Sequence, residues 1–268
     1  MVCVEVEGET HKRQRFNRPI DTIECVHSTL EDYLGENDLD IPSVIWLDYT
    51  DPGEITAQIE RFARTIGEVP VGSVLRVTLN ANPSSLGRPR SVEVATTVGK
   101  YSEGADDLPT LQEWRLERFK SRLGALFPSD LQAEGMTFRT FGKSVLRALS
   151  LAVAAQLLNY PDRGIVWALA THYADGQPMV TATLVVCEPD DSPIPSLLQD
   201  WEFNSTPDDP HLLDMPALST IERLAMEQAQ DPRQRLGFEL PVSDMKEDPF
   251  DSFDRFYRLY PHFSRVEL

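Results

Sequence analysis

Cysteine is scarce in this sequence: Cys3, Cys25 and Cys187 lie far apart, each inside a strand-like apolar run. An odd count with no Cys/His pairing argues for free thiols in a reducing compartment and against a structural zinc. The histidines are equally scattered, at positions 11, 27, 172, 211 and 262, with no metal-ligand spacing. Basic charge is short as well, since 25 lysines and arginines face 43 acidic residues for a net charge of −18. Nucleic-acid binding needs the opposite sign, so no general nucleic-acid partner is expected. The longest apolar run, Leu149 to Leu158, is too short to cross a bilayer and closely follows Lys143 and Arg147. The start, MVCVEVEGETHKRQR, places charge directly after a short apolar stretch and does not read as a signal peptide. These absences point to a cytoplasmic protein with no membrane partner. GxGxxG, P-loop, HExxH, GxSxG and CxxC patterns are all missing, which argues against zinc and serine-hydrolase chemistry.

What is present centres on Pro42 to Glu54. The apolar run Val44 to Leu47 reads as a buried strand of a parallel sheet. A helix N-terminus follows, with Asp51 as N-cap, Pro52 at the first helical position and Glu54 as capping partner. Strand, polar turn and helix together make the carboxyl edge of an open α/β sheet, where such folds bind ligands. Asp51 has a capping role there. Asp48 and Tyr49, at the strand's end, have none and are the candidate catalytic residues. Asp48 could hold an amino group or orient a nucleophile, or be a turn aspartate that fixes the loop.

The flanking pattern extends that unit. Val2-Cys3-Val4-Glu5-Val6 and Asp21 to Val26 read as strands, with a brief helix or loop at Glu9 to Arg15 between them. Ser28 and Glu31 read as a capping box for a helix through Leu34. Ile55, Ile59, Phe62 and Ile66 fall on one helical face, and Gly72 to Leu79 reads as the next strand. Residues 83–108 read as an irregular insertion. Helices are expected from Pro109-Thr110 through Leu126, with Glu113 as capping partner, and from Phe138 to Leu158. Strands Ile165 to Thr171 and Val180 to Cys187 flank Asp175-Gly176, a hairpin signal. After Cys187 the chain turns acidic and proline-rich, with one capped helix from Ser219 to Gln228 and an aromatic end from Phe250 to Tyr257. The expected organisation is an α/β domain over residues 1–187 and an acidic extension, 188–268, packed on it.

Position nominates further residues. Glu5, at the end of the first strand, sits where doubly wound folds place an acid for ribose hydroxyls, although on Glu5 alone a strand-end glutamate facing solvent is the stronger reading. His27 and Ser28 close the second strand at the same edge, where an adenine could be met, although a simple N-cap is the stronger reading of Ser28.

Four segments carry a resemblance: Arg15-Phe16-Asn17-Arg18-Pro19, Ile23-Glu24-Cys25, Val44-Ile45-Trp46-Leu47-Asp48-Tyr49 and Gly72 to Ala81. In this order they resemble a bacterial family described as putative O-methyltransferases, which is similar to class I S-adenosylmethionine-dependent methyltransferases. The resemblance covers roughly the first third of the chain, and the rest fits by topology. It implies a Rossmann-like sheet of parallel strands ending in an antiparallel hairpin, with S-adenosylmethionine as cofactor. By it Glu5 is the ribose acid, His27, Ser28 and their neighbours the adenine site, and Asp48 and Tyr49 the residues beside the transferred methyl, with Asp48 also a cofactor-binding residue. The first strand and glycine-rich turn of that fold have no counterpart, so the chain is expected to be truncated at its N-terminus. Two further readings stay open: a catalytically silent interaction protein, with a partner at an exposed sheet edge or the acidic tail, and a Rossmann-like nucleotide-binding protein. The sequence names no methyl acceptor.

Overall fold

The computed structural model describes residues 1–37, 39–89, 110–189, 194–242 and 247–257. β1 (Val2–Glu5) and β2 (Glu24–His27) pair in parallel, from Val2 opposite Glu24 to Glu5 opposite His27. The charged segment between them is a full helix, α1 (Gly8–Asn17), started by the Glu7 carboxylate accepting from the Glu9 and Thr10 N–H groups. α2 (Leu30–Glu36) is capped by Thr29, not Ser28: the Thr29 hydroxyl accepts from Asp32 N. The cap is set by where Leu30 enters the apolar core, and that contact leaves Ser28 outside the helix.

β3 (Val44–Asp48) leads into a single 3-10 turn at Pro52–Glu54 and then α3 (Ile55–Glu68). Asp51 caps the turn, its carboxylate accepting from Gly53 N at 2.7 Å, whereas no capping bond from Glu54 forms. β4 (Val74–Asn80) pairs parallel with β3. Pro83–Leu86 forms a 3-10 turn, and residues 90–109, most of the expected irregular insertion, lie outside the described residues. α4 (Leu111–Leu123) starts at a Thr110/Glu113 capping box, and α5 (Phe141–Leu157) follows.

β5 (Gly164–Asp175) and β6 (Gln177–Cys187) form the expected hairpin, with longer strands and a tighter turn than the sequence suggests. Pairing persists to Ala174 opposite Pro178 and Asp175 opposite Gln177, so Gly176, at φ +73°, makes the reversal alone. β6 inserts between β4 and β5, antiparallel to both. Beyond residue 188 come α6 (Ile194–Gln199), β7 (His211–Leu213), α7 (Thr220–Gln228), α8 (Pro232–Leu236) and α9 (Pro249–Phe256). β7 joins the sheet in parallel beside β5.

The described strands therefore make two sheets: β1-β2, and a mixed sheet in the order β3-β4-β6-β5-β7. No ladder joins β1 to β3. α2 bridges them instead, touching β1 while Leu30 packs on the main core. That core lies on one face of the larger sheet, where Leu75, Val77, Leu79, Ala182 and Leu184 meet Phe62 and Ile66 of α3 and Val145 and Leu149 of α5. A second apolar cluster, Met226, Leu240, Phe250 and Phe253, lies within the C-terminal segment. Among the described residues no helix is long and apolar enough to cross a membrane.

Candidate functional site

Strand alternation sorts the residues at the carboxyl end of β3 onto two faces. Leu47 points into the core, while Trp46 and Asp48 point the other way. On β4 the same opposite face carries Arg76, Thr78 and Asn80, paired across β6 with Thr183, Thr181 and Met179. Because the hairpin turns at Gly176, Tyr173 and Gln177 also reach this edge. A cavity of about 370 Å³ opens there, lined by Asp48, Thr50, Thr78, Asn80, Tyr173, Gln177 and Met179.

Hydrogen bonds tie its walls together. Asn80 Nδ2 donates to Thr50 O and to Gln177 Oε1, each at 3.3 Å, and Asn80 Oδ1 accepts from Asn82 N at 2.9 Å. Trp46 Nε1 donates to Thr78 Oγ1 at 2.9 Å. Arg76 stacks its guanidinium over the Trp46 ring, 5.1 Å from the centroid. Burial lowers the Arg76 pKa from its ordinary value, opposed by nearby Tyr173 and Asp48. The cavity thus offers one exposed carboxylate, side-chain amides, hydroxyls and a thioether, with a cation beside them.

Tyr49 is not part of it. Its ring packs against the main core, its hydroxyl is enclosed without a hydrogen-bond partner, and burial, reinforced by Glu31, pushes its pKa up to about 12. Glu5, His27 and Ser28 come together at the carboxyl edge of the small sheet. Glu5 Oε1 accepts from Glu7 N at 2.7 Å, Ser28 N donates to Glu5 O, and His27 Nε2 lies 3.0 Å from Val6 O. The His27 ring stacks on His11 at 5.2 Å. The structure therefore gathers Glu5, His27 and Ser28 on one sheet and sets Asp48 on the other.

Sequence reasoning missed Thr50, Thr78, Asn80, Tyr173, Gln177 and Met179. Asp175-Gly176 was the available signal: a two-strand register counted outward from it puts Tyr173 opposite Met179. A larger cavity, about 720 Å³, lies between β7 and α9 and shares no lining residue with the first. Within it Arg139 pairs with Glu247 at 2.5 Å, and it is not at the carboxyl edge of the β3–β4 pair. Among the described residues no group of three or more His, Cys, Asp or Glu side chains is placed to hold a metal.

For a sulfonium nucleoside cofactor, the adenosine half finds a fitting group in Glu5. One carboxylate oxygen is held by Glu7 N, and the other has no hydrogen-bond partner among the described residues, as a ribose diol requires. A search of curated proteins finds no match. The model of a protein family described as "Putative O-methyltransferase" matches the sequence over residues 1–268. With that match spanning the mixed α/β architecture and its edge cavity, the chain belongs to the putative O-methyltransferase family.

Proposed function

We propose that this chain methylates a hydroxyl oxygen using S-adenosylmethionine, with the acceptor in the cavity at Asp48. The observation that carries the reading is the family match over residues 1–268 together with a carboxyl-edge cavity that presents an exposed carboxylate. When bound, the cofactor supplies an electrophilic methyl group. Glu5 takes the ribose hydroxyls, and His27 and Ser28 border the adenine. Asp48 accepts the hydrogen bond of the acceptor hydroxyl and takes its proton, while Asn80 and Gln177 fix the rim against which the acceptor rests. Methyl transfer of this kind depends on in-line approach more than on acid–base strength, so orientation is the main task of these side chains. The topology is compatible with the class I reading, since the parallel pair β3-β4 is followed in its sheet by the antiparallel hairpin of β6 and β5.

Calorimetry with S-adenosylhomocysteine tests the proposal. Binding that Glu5→Gln weakens about tenfold is expected, the scale of a hydrogen bond to a charged group. No measurable binding to the native chain would sink it. A second reading is a silent family member that binds a polypeptide at the sheet edge. Val44 and Trp46 favour it, being 80% and 59% exposed on a strand whose outer edge pairs with no described strand. That protein would not bind S-adenosylhomocysteine.

A further inference from the structure

Trp46, Arg76 and Thr183 are successive cross-strand neighbours on β3, β4 and β6, on the face turned away from the main core. Arg76 is half-buried there, and its Nε is enclosed with no hydrogen-bond partner. Thr183 Oγ1, beside it, is enclosed and unpartnered too. Arg61, Arg115 and Arg223 also enclose an Nε without a hydrogen bond, but every other arginine that is not exposed among the described residues has an oxygen in reach of its guanidinium, and Arg76 has none. Arg61 chelates Glu68 through two bonds, Arg147 reaches Asp208 and Arg223 pairs with Glu227. Arg115, Arg122 and Arg163 donate to main-chain carbonyls. A half-buried guanidinium with no oxygen acceptor is costly, and stacking on Trp46 offsets only part of that cost. The protein holds a planar, donor-rich cation beside its cavity and gives it no oxygen of its own.

Arg76 and Trp46 sit on the same sheet face as the cavity, one side-chain step before its lining residues Thr78 and Asp48. Trp46 and Asp48, like Arg76 and Thr78, are two residues apart on one strand face, a step of about 7 Å. A para-substituted benzene ring spans a step of that size. Guanidinium groups recognise carboxylates through paired N–H donors, and the exposed indole of Trp46 supplies an aromatic neighbour. We propose that the methyl acceptor is a small hydroxyaryl carboxylate, its carboxylate held by Arg76 beside Trp46 and its hydroxyl at Asp48. This rests on the O-methyltransferase reading and names the substrate class of the same cavity.

The test titrates para-hydroxybenzoate and its neutral analogue para-hydroxybenzamide into the full chain by calorimetry, without cofactor. The native protein should prefer the carboxylate by about tenfold or more. Arg76→Gln should abolish that preference while leaving the amide's affinity alone. Arg76→Lys, which keeps the charge without the planar fork, should retain part of it, and this variant decides the matter if Arg76→Gln does not fold. Equal affinity for the two probes, binding of neither by the native chain, or an undiminished preference in the variants overturns the proposal. S-adenosylhomocysteine is titrated in parallel to separate the two claims. Its binding without carboxylate preference would sink the substrate class alone. Carboxylate preference without its binding would sink the methyltransferase reading and leave a carboxylate site at Arg76.

Discussion

β1 and β2 are four-residue strands in which no residue is fully buried, whereas β4 and β6 bury alternate side chains to 1% exposure or less. The helices divide in the same way. α1 buries nothing and is defined by its Glu7 cap and short-range bonds, while α3 buries Ile55, Ile59, Phe62 and Ile66 in one stripe. Local hydrogen bonds can specify a helix or a turn, but burial of apolar area supplies most of the free energy that holds it. The two ends of the candidate site thus stand on unequal foundations: Asp48 on the rigid sheet, and Glu5, His27 and Ser28 on the one that opens more readily.

Core substitution gives the largest expected separation. Phe62 is fully enclosed among β4, α3 and α5, so Phe62→Ala should cost about 3–5 kcal/mol in denaturant unfolding. Val4→Ala on β1, at a half-buried position, should cost about 1 kcal/mol or less. Equal losses would show that the small sheet is as deeply integrated as the large one, and the contrast would fail.

The rigid sheet contains its own pH-sensitive point. His172, 3% exposed, faces α5 so closely that a Cβ on Gly142 would come within 2.7 Å of its ring, and its Nε2 has no partner. Burial pulls its pKa from 6.5 to about 4. Below pH 6.5 the unfolded chain therefore gains a proton that the folded chain refuses until near pH 4. The stability this residue contributes is intact above 6.5 and is lost as the pH falls towards 4, about 3 kcal/mol in all. His172→Leu should flatten the stability profile between pH 7 and 4.5 relative to the native chain. Parallel profiles would mean that the ring is protonated inside the fold.

How much of this was legible follows the same division between local and long-range causes. Asp51-Pro52 announces a helix start in four residues, and the structure uses Asp51 as the cap. The stripe on α3 was equally plain, because its period is local. Thr29 took the cap from Ser28 because Leu30 packs on a distant core, which no neighbouring residue reports. Tyr173, Gln177 and Met179 lie between the two strands the sequence presents, because the extra pairing past Thr171 depends on register between two strands. β7, three residues in an acidic, proline-rich stretch, exists only through its pairing with β5. The break between β1 and β3 is likewise a matter of pairing.

Caps sharpen the comparison at smaller scale. Asp51→Ala should remove about 1 kcal/mol from global unfolding, and Asp51→Asn almost none. Thr29→Ala should remove a similar amount locally, yet appear mainly as faster amide exchange in α2, with little change in the global midpoint. If Thr29→Ala shifts the global midpoint as far as Asp51→Ala does, the small sheet unfolds together with the large one.

The smallest expected effect separates two adjacent residues. Asp48 and Tyr49 leave β3 on opposite faces, one towards the cavity and one onto the core. The Tyr49 hydroxyl is enclosed without a partner, and its pKa of about 12, set first by burial, keeps it neutral. Removing an unsatisfied buried hydroxyl relieves a desolvation cost, so Tyr49→Phe should leave stability unchanged or raise it by up to about 1 kcal/mol. Methyl transfer should be untouched. Asp48→Asn should leave stability alone, since the carboxylate is exposed, and should depress turnover while S-adenosylhomocysteine still binds. Turnover lost in Tyr49→Phe with cofactor affinity intact would instead require Tyr49 to swing out of the core during catalysis. The exposed edge of β3 would then have to move with it.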